Sequence, residues 1–169
     1  FVDISSGLRH TCGIKVDENV ECWGSDSSGQ SSPPDDTFID ISAGGNHNCG
    51  IRIDGSVECW GSNDYGQSSP PNSTFIDISS GHHHNCGIAT DGTVQCWGIN
   101  NGNFLDNGQV TDTPNGTFID ISSGSYHNCG IKTDGTVECW GRNDYGQSSP
   151  PNDSFIEISS GEYHNCGIT

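Results

Sequence analysis

A seven-residue block that occurs five times constrains the fold of this chain more than any other feature. FVDISSG begins at Phe1 and recurs, with small changes, at Phe38, Phe75, Phe118 and Phe155. The successive offsets are 37, 37, 43 and 37 residues. Periods of this length are typical of repeat proteins whose units bury their apolar faces against one another. We therefore predict one repeat array over residues 1–169, with units at 1–37, 38–74, 75–117 and 118–154 and a partial unit at 155–169.

Each unit has the pattern of short β-strands. In the second unit, the alternation over residues 38–42 predicts a strand with Ile39 and Ile41 on one face. Two further strands are expected on either side of Asp54-Gly55, a dipeptide typical of hairpin turns. No segment has a sustained helical period, so the sequence predicts an all-β array.

The cysteines are spaced to match these hairpins. Eight of the 9 cysteines form four pairs, and the two members of each pair lie ten residues apart: Cys12/Cys22, Cys49/Cys59, Cys86/Cys96 and Cys129/Cys139. A three-residue loop with Gly in the left-handed conformation places the two members directly opposite each other. Cross-strand Cβ atoms lie about 4.5–5.5 Å apart, near the ~3.8 Å of a disulfide. Four disulfides are the prediction, and zinc binding by Cys and His is the alternative, although no unit contains C-x-x-C.

Cys166 has no counterpart ten residues further on. It is expected to be a free thiol, to have its partner outside the chain, or to form an intermolecular bridge. The chain also begins with Phe1 rather than Met, so we expect a processed chain or a segment of a longer one.

Charge and composition argue against several classes of function. Lys and Arg total 5 and Asp and Glu total 22, giving a net charge of -17. Such a chain repels nucleic acids and anionic membranes. No apolar run approaches the roughly 20 residues of a membrane-spanning helix. Together with the paired cysteines, this composition predicts an extracellular protein, either secreted or on the cell surface.

The shared pattern G-x-x-H-x-C-G-I-x-x-D-G-x-V-x-C-W-G-x-N-x-x-G-Q resembles the repeat of the regulator of chromosome condensation family. Its positions in the second unit include Gly44, His47, Asp54, Gly55, Val57, Trp60, Gly61, Asn63, Gly66 and Gln67. The resemblance covers nearly the whole chain. It implies antiparallel blades of three to four strands, and the paired cysteines look like a variant found in secreted relatives. The family usually closes a ring of seven blades, about 260 residues at this period, so a partial or open β-propeller is expected here.

Histidines precede a cysteine by two residues in every unit, at His10, His47, His84, His127 and His164. The resemblance implies a structural, hydrogen-bonding role within the blade. A ring of metal ligands, or a transition-metal site at His82-His83-His84, is the alternative. Glu18 stands where the other units have Gly, so that turn is expected to be distorted.

The candidate binding residues lie in loops. Tyr65 and Tyr145 occur in N-D-Y-G-Q segments, which combine amide, carboxylate and aromatic groups suited to sugar or protein recognition. A turn with a packed Tyr is the alternative. Phe104 and Leu105 lie in the longer third unit. We expect them to form an apolar contact point for a partner, and the alternative is that they fold back onto the blade.

N-glycosylation sequons begin at Asn72, Asn115 and Asn152, all at one position of the repeat.

We predict no metal, no cofactor and no catalytic site, since repetition spreads the same chemistry over all units. The predicted function is a non-enzymatic extracellular structural or adhesive module. It would bind protein partners or copies of itself, including assembly into a filament or coat. The alternative is a ligand-binding module, of lectin or enzyme-inhibitor type, acting through its loops; glycans would then be partners.

Overall fold

A computed structural model describes all 169 residues as an open series of antiparallel β-sheets. The 14 strands are β1 Asp3–Ser6, β2 His10–Ile14, β3 Val20–Gly24, β4 Asp40–Ala43, β5 His47–Ile51, β6 Val57–Gly61, β7 Phe75–Ser80, β8 His84–Ala89, β9 Val94–Gly98, β10 Phe118–Ser123, β11 His127–Lys132, β12 Val137–Gly141, β13 Glu157–Ser160 and β14 Asn165–Ile168. Four sheets have three strands in chain order, and β13 and β14 form a fifth sheet of two strands. We call the sheets blades 1 to 5. The predicted all-β fold is confirmed, with three strands in each complete blade.

The hairpin register places the paired cysteines opposite each other. Cys49 pairs with Cys59 across β5 and β6, and the same register recurs in blades 1, 3 and 4. In blade 4, the turn closes with hydrogen bonds from Lys132 N–H to the Thr136 carbonyl (2.8 Å) and from Gly135 N–H to the Lys132 carbonyl (2.9 Å). The turn and the cysteine spacing therefore specify the same register.

All four cysteine pairs are disulfides, with Cα–Cα distances of 4.0–4.1 Å. The bonded pairs are Cys12–Cys22, Cys49–Cys59, Cys86–Cys96 and Cys129–Cys139. The sequence did not predict that the two members of a pair differ in burial. The first member is fully buried in every pair, whereas the second is only partly buried: Cys22, Cys59, Cys96 and Cys139. The cause is position in the blade, because the first member lies on the central strand and the second on the outer strand.

The expected distortion of the first turn is wrong. Glu18 adopts a φ of 65°, the left-handed conformation that glycine takes in the other turns. The closing bonds are also kept, from Lys15 N–H to the Asn19 carbonyl (2.9 Å) and from Glu18 N–H to the Lys15 carbonyl (3.0 Å). The backbone therefore keeps the turn, and Glu18 bears a conformational cost of about 1–2 kcal/mol.

The prediction that Ile39 and Ile41 share one face is also wrong. Ile39 is 55% exposed, whereas Ile41 is 4% exposed. The cause is visible in blade 3, where Phe75 and Asp77 pair with consecutive residues of β8 and leave Ile76 as the extra residue of a bulge. A bulge breaks the alternation of a strand, so the Phe and the second Ile both face the core.

The hydrophobic core lies between the blades rather than within them. Between blades 2 and 3, Cys49 and Ile51 on one side pack against Phe75, Ile78 and Trp97 on the other. The same arrangement recurs between blades 1 and 2 and between blades 3 and 4. Each interface thus joins the Cys-Ile face of one blade to the Phe-Ile-Trp face of the next. No unit can bury its apolar side chains without its neighbours.

A buried polar chain runs through the same interfaces. The Nε2 atom of His47 lies 2.8 Å from Oδ1 of Asn85 in the next blade. The Asn85 amide donates to the carbonyl oxygen of Gln67 (2.8 Å), and Trp97 Nε1 donates to the same oxygen (3.2 Å). His47 and Asn85 are fully buried. The repeated histidine therefore has a hydrogen-bonding role, but it joins neighbouring blades instead of acting within one.

Candidate functional site

Aromatic side chains, two of them exposed and four partly buried, gather where the loops between first and second strands meet the loops that follow the third strands. They form a continuous surface that we call the aromatic row: Tyr65, His82, His83, Tyr126, Tyr145 and Tyr163. The loop after β6 supplies Tyr65, and the β7–β8 loop supplies the two histidines. The row therefore spans several blades, and no single repeat contains it.

The first half of the row is a stack of rings. The ring centroids of Tyr65 and His83 lie 4.8 Å apart, and those of His83 and His82 lie 4.1 Å apart in a stacked arrangement. His82 meets Tyr126 edge to face at 5.6 Å, and its Nδ1 lies 3.1 Å from the tyrosine hydroxyl oxygen. Such geometries are favourable for aromatic pairs, so the rings hold one another in position.

The second half of the row surrounds a single cation. The Arg142 guanidinium lies 5.6–5.8 Å from the ring centroids of Tyr126, Tyr145 and Tyr163. Its Nε also pairs with Oδ2 of Asp144 at 2.7 Å. Only 5 Lys and Arg residues occur in the chain, so one of few cations is placed among three tyrosines. This is a cation–π arrangement.

Burial keeps the histidines of the row uncharged at neutral pH. Desolvation, with the neighbouring His82 ring, lowers the pKa of His83 to about 4. Desolvation also lowers the pKa of His82. Tyr145 is 69% exposed and Tyr163 40% exposed. The row therefore presents flat, neutral ring faces to solvent next to the Asp144 carboxylate, a mixture that suits sugars or protein side chains.

Local hydrogen bonds fix the two N-D-Y-G-Q loops. In the first loop, Gln67 Oε1 accepts from Tyr65 N–H (2.8 Å) and Asn63 Oδ1 accepts from Ser68 N–H (2.9 Å). In the second loop, Gln147 Oε1 accepts from Tyr145 N–H at 2.9 Å. Because these are side-chain caps of turns, both predicted tyrosines project from preformed loops.

A shallow depression lies beside the row at the centre of the blades. It has a volume of about 190 Å³ and is lined almost wholly by Ser and Gly from the five blades, with His82 at its edge. No group of three or more His, Cys, Asp or Glu side chains converges in the structure as a metal site would require. His82 and His83 stack on each other within the aromatic row.

The eight paired cysteines lie outside the aromatic row. Cys22, Cys59 and Cys96 are bonded within their own hairpins and pack against the clusters between blades, and Cys139 is bonded within its hairpin in the same way. Their sulfur atoms are therefore occupied by structural bonds. Zinc binding by these cysteines, the alternative raised by the sequence, finds no cluster of ligands to support it.

Acidic side chains face one another along the inner strands. Burial, together with the Asp77 and Asp3 carboxylates, raises the pKa of Asp40 to about 6. Burial and Asp120 likewise raise the pKa of Asp77 to about 6. In both cases a hydrogen bond from the backbone N–H of Ile78 lowers the carboxyl pKa and so offsets part of this rise. The pKa values of these two carboxyls therefore lie about two units above that of an ordinary Asp.

The remaining predicted residues lie elsewhere on the surface. Phe104 is 88% exposed and does not fold back onto the blade, while Leu105 is partly buried. The sequon residues Asn72, Asn115 and Asn152 are all exposed, and they stay predicted attachment points. Cys166 is an exposed free thiol.

The two end blades leave apolar faces uncovered. On blade 1, Phe1, Ile4 and Trp23 are 58%, 54% and 46% exposed. Their counterparts Phe38, Ile41 and Trp60 are buried against blade 1. On blade 5, Cys166 is exposed and Ile168 is 54% exposed. The two uncovered faces are therefore of the two types that meet inside every internal interface.

Sequence reasoning identified Tyr65 and Tyr145 but missed the rest of the aromatic row. His83, Tyr126 and Tyr163 occupy one variable position, directly before the repeated histidine. An aromatic ring at that position in three consecutive units was the available signal. This signal could be interpreted only from the fold, which places these loops beside the loops that contain Tyr65 and Tyr145.

The comparisons with known proteins agree with this architecture. The model of the regulator of chromosome condensation (RCC1) repeat matches residues 1–30, 38–67, 75–109 and 118–147. No curated protein sequence matches the chain. No helix of the structure is long and apolar enough to cross a membrane.

Similar solved structures include two plant receptor-kinase ectodomains. The ectodomain of CR4 from Physcomitrella patens has a TM-score of 0.81 and 26% identity, covering 98% of this chain and 46% of that one. The CRINKLY WD40 ectodomain of ACR4 from Arabidopsis thaliana has a TM-score of 0.79 and 28% identity, covering 98% and 66%. Prp20p from Saccharomyces cerevisiae has a TM-score of 0.77 and 16% identity, covering 99% and 56%, and shares the fold. The chain thus spans about half to two thirds of these structures.

Proposed function

Because the chain belongs to the regulator of chromosome condensation (RCC1) repeat family, we propose that it is a non-enzymatic extracellular module that binds proteins through its end blades, including further copies of itself. Four disulfides fit an oxidising compartment. The similarity to two receptor ectodomains supports an extracellular binding role. The observation that carries the proposal, for residues 1–169 as a unit, is that blades 1 and 5 present the same side chains that each internal interface buries.

The two end faces are complementary in type. Blade 1 offers the Phe-Ile-Trp side with Phe1, Ile4 and Trp23 exposed, and blade 5 offers the Cys-Ile side with Cys166 and Ile168 exposed. Contact between the two faces of different copies would imitate an internal interface. Such a head-to-tail contact is heterologous, so it propagates into filaments unless the geometry closes a ring.

The net charge of -17 opposes this contact between copies. Repulsion between exposed charges is screened by salt, with a Debye length of about 10 Å at 0.1 M and about 3 Å at 1 M. Apolar contacts are not weakened in the same way. Self-association is therefore expected to strengthen as salt is raised, the reverse of an interaction based on ion pairs.

Sedimentation velocity over a range of concentrations and salt levels tests the proposal. The Cys166→Ser background prevents association through the free thiol. In this background, Trp23→Ser should weaken self-association by about tenfold or more, since Trp is typical of interface hot spots. Ile53→Ser is the matched control, because Ile53 is 78% exposed but lies at the hairpin turn of blade 2, outside the end faces. A chain that stays monomeric at every concentration and salt level would refute the self-association.

The aromatic row supports a second candidate function, the binding of a glycan or other ligand. Its stacked rings and preformed loops offer planar apolar surface beside amide and carboxylate groups. Tyr65→Ala and Tyr145→Ala should each reduce binding of such a ligand without loss of fold. A glycan array with no hits, together with unchanged protein binding by both variants, would eliminate this candidate.

A further inference from the structure

The two N-D-Y-G-Q loops share one backbone arrangement but differ at the residue that precedes them. Arg142 precedes the loop of the fourth unit, and Ser62 precedes the loop of the second unit. The N–H of Arg142 donates to the carbonyl oxygen of Tyr126 at 2.9 Å, and the N–H of Ser62 donates to that of Asn46 at 2.9 Å. The two residues therefore start from equivalent positions, and only their side chains differ.

Hydrogen bonds within the two loops support this equivalence. Ser68 Oγ donates to the Ser62 carbonyl oxygen at 2.8 Å, and Ser148 Oγ donates to the Arg142 carbonyl oxygen at 2.8 Å. The Asn side chain of each loop accepts from the N–H of the same serine at 2.9 Å. The surroundings of Arg142 can therefore be compared directly with those of Ser62.

In the fourth unit these surroundings hold a guanidinium group. Arg142 Nε pairs with Asp144 Oδ2 at 2.7 Å. The guanidinium lies 5.8 Å from the ring centroid of Tyr145 and 5.6 Å from that of Tyr163. The centroids of these two rings lie 5.2 Å apart, edge to face. One carboxylate and one pair of rings thus bind a cation within the chain itself.

The second unit repeats the carboxylate and the ring pair around Ser62. The rings are those of Tyr65 and His83, whose centroids lie 4.8 Å apart. The carboxylate is that of Asp64, whose Oδ2 accepts from the Ser62 hydroxyl at 3.1 Å. None of the ion pairs in the structure involves Asp64. Asn46 replaces the third tyrosine, so two rings rather than three are available to a cation.

The His83 ring does not repel a cation, because it is uncharged at neutral pH. Burial and the His82 ring lower the pKa of His83 to about 4, and the nearby Asp64 carboxylate acts in the opposite direction. A neutral imidazole, a phenol ring and an exposed carboxylate therefore lie together. The net charge of -17 also attracts positively charged partners from a distance.

We propose that Asp64, Tyr65 and His83 form a binding site for an arginine side chain of a partner protein, in the arrangement that Arg142 shows within the chain. The guanidinium pairs with the Asp64 carboxylate and lies over the two rings. It suits the site better than an ammonium group, because it is planar, stacks on aromatic faces and is weakly hydrated. This inference rests on the second candidate function, ligand binding by the aromatic row, and names the class of ligand.

A capped Gly-Arg-Gly peptide is the probe. The same peptide with citrulline, which is uncharged and similar in shape to arginine, is its control. An NMR titration follows the ring signals of Tyr65 and His83. The arginine peptide should shift both signals and saturate in the millimolar range, because each exposed cation–π or ion-pair contact contributes only about a two- to fivefold gain in affinity. Tyr65→Ala, followed on the His83 signal, should weaken binding by about the same factor.

Ser62→Arg tests the comparison between the units directly. This variant supplies its own guanidinium to the site, so the peptide should bind at least about fivefold more weakly. Ser25→Arg is the matched control, because Ser25 holds the same position in the first unit, where Ser28 replaces the tyrosine. Each serine hydroxyl accepts from a Gln side chain, at 3.1 Å for Ser62 and 3.4 Å for Ser25. Both variants therefore lose the same hydrogen bond and gain the same charge, and only Ser62→Arg should impair binding.

Three results would overturn the proposal: equal shifts with the arginine and citrulline peptides, equal binding by the two Ser→Arg variants, or no saturable shift up to about 50 mM peptide. Circular dichroism verifies that the variants fold, and the citrulline control decides the matter even if Ser62→Arg does not. If a glycan still binds through Tyr65 when the arginine peptide does not, the aromatic row keeps its second candidate function and only this class of ligand is wrong.

Discussion

Replacing Asn85 with leucine should strongly destabilise the array, because this side chain joins two blades. Asn85 is fully buried. Its Oδ1 atom lies 2.8 Å from His47 Nε2 and 2.7 Å from the Ser80 hydroxyl, and its amide donates to the Gln67 carbonyl oxygen. Leucine has a similar volume, so the change removes the hydrogen bonds and leaves little empty space.

The magnitude follows from the partners that remain unpaired. The Ser80 hydroxyl still lies 3.2 Å from the Ser42 carbonyl oxygen, and the Gln67 carbonyl still accepts from Trp97. The Nε2–H of His47 has no other acceptor. One unpaired buried donor costs about 1–3 kcal/mol, and the lost hydrogen bond contributes about 1 kcal/mol more. The expected loss is therefore about 2–4 kcal/mol.

Urea unfolding with the disulfides intact, followed by circular dichroism, measures this loss. Thr11→Val is the matched control, because Thr11 holds the corresponding position in blade 1 and its hydroxyl makes no hydrogen bond to another blade. Its hydroxyl contacts only the exposed Ser6 hydroxyl, at 3.3 Å, so the control should change stability by less than about 0.5 kcal/mol. If Asn85→Leu costs no more than Thr11→Val, the chain of hydrogen bonds between blades does not stabilise the array.

Three further predictions concern stability. Glu18→Gly should raise the free energy of unfolding by about 1 kcal/mol in urea, since glycine adopts the φ of 65° without strain; an unchanged midpoint would contradict this. Asp77→Asn should stabilise the chain near pH 8 by about 1–3 kcal/mol and have no effect near pH 3. Burial raises the pKa of Asp77 from 3.8 to about 6, so the folded chain binds more protons than the unfolded chain in that window and loses stability as pH rises through it; equal effects at both pH values would exclude this cause. Replacing both Cys49 and Cys59 by Ala should cost about 2–3 kcal/mol, and thermal unfolding of the variant with and without reductant measures it.

The sequence could predict the hairpins because their determinants are local. The ten-residue spacing of Cys49 and Cys59, centred on Asp54, specifies a register across one short turn. The left-handed glycine at the third loop position completes the turn, and the same cysteine spacing recurs in four units. The repeat period in turn predicted that the units pack on one another, since a single unit has too few apolar residues for a core.

The bulge and the aromatic row depended on contacts between distant residues. Ile39 has the strand pattern of Ile41, and only pairing with the second strand shows which of them is displaced outward. Tyr65 meets His83, and His82 meets Tyr126 from a loop 44 residues away. Spacing within one unit contains no information about which loops of neighbouring units touch.

Histidines and aspartates buried between the blades give the chain two opposing responses to pH. Desolvation lowers the pKa values of His47 and His84 from 6.5 to about 4, so the unfolded chain binds more protons and stability falls as pH drops through that window. The carboxyls of Asp40 and Asp77 have pKa values raised to about 6, so their contribution to stability grows as pH drops over nearly the same range. His82, His83 and His127 also have lowered pKa values and Asp120 has a raised one, so more groups lose stability than gain it as pH drops. The buried carboxyls therefore offset only part of the stability that the buried histidines lose in mildly acidic surroundings.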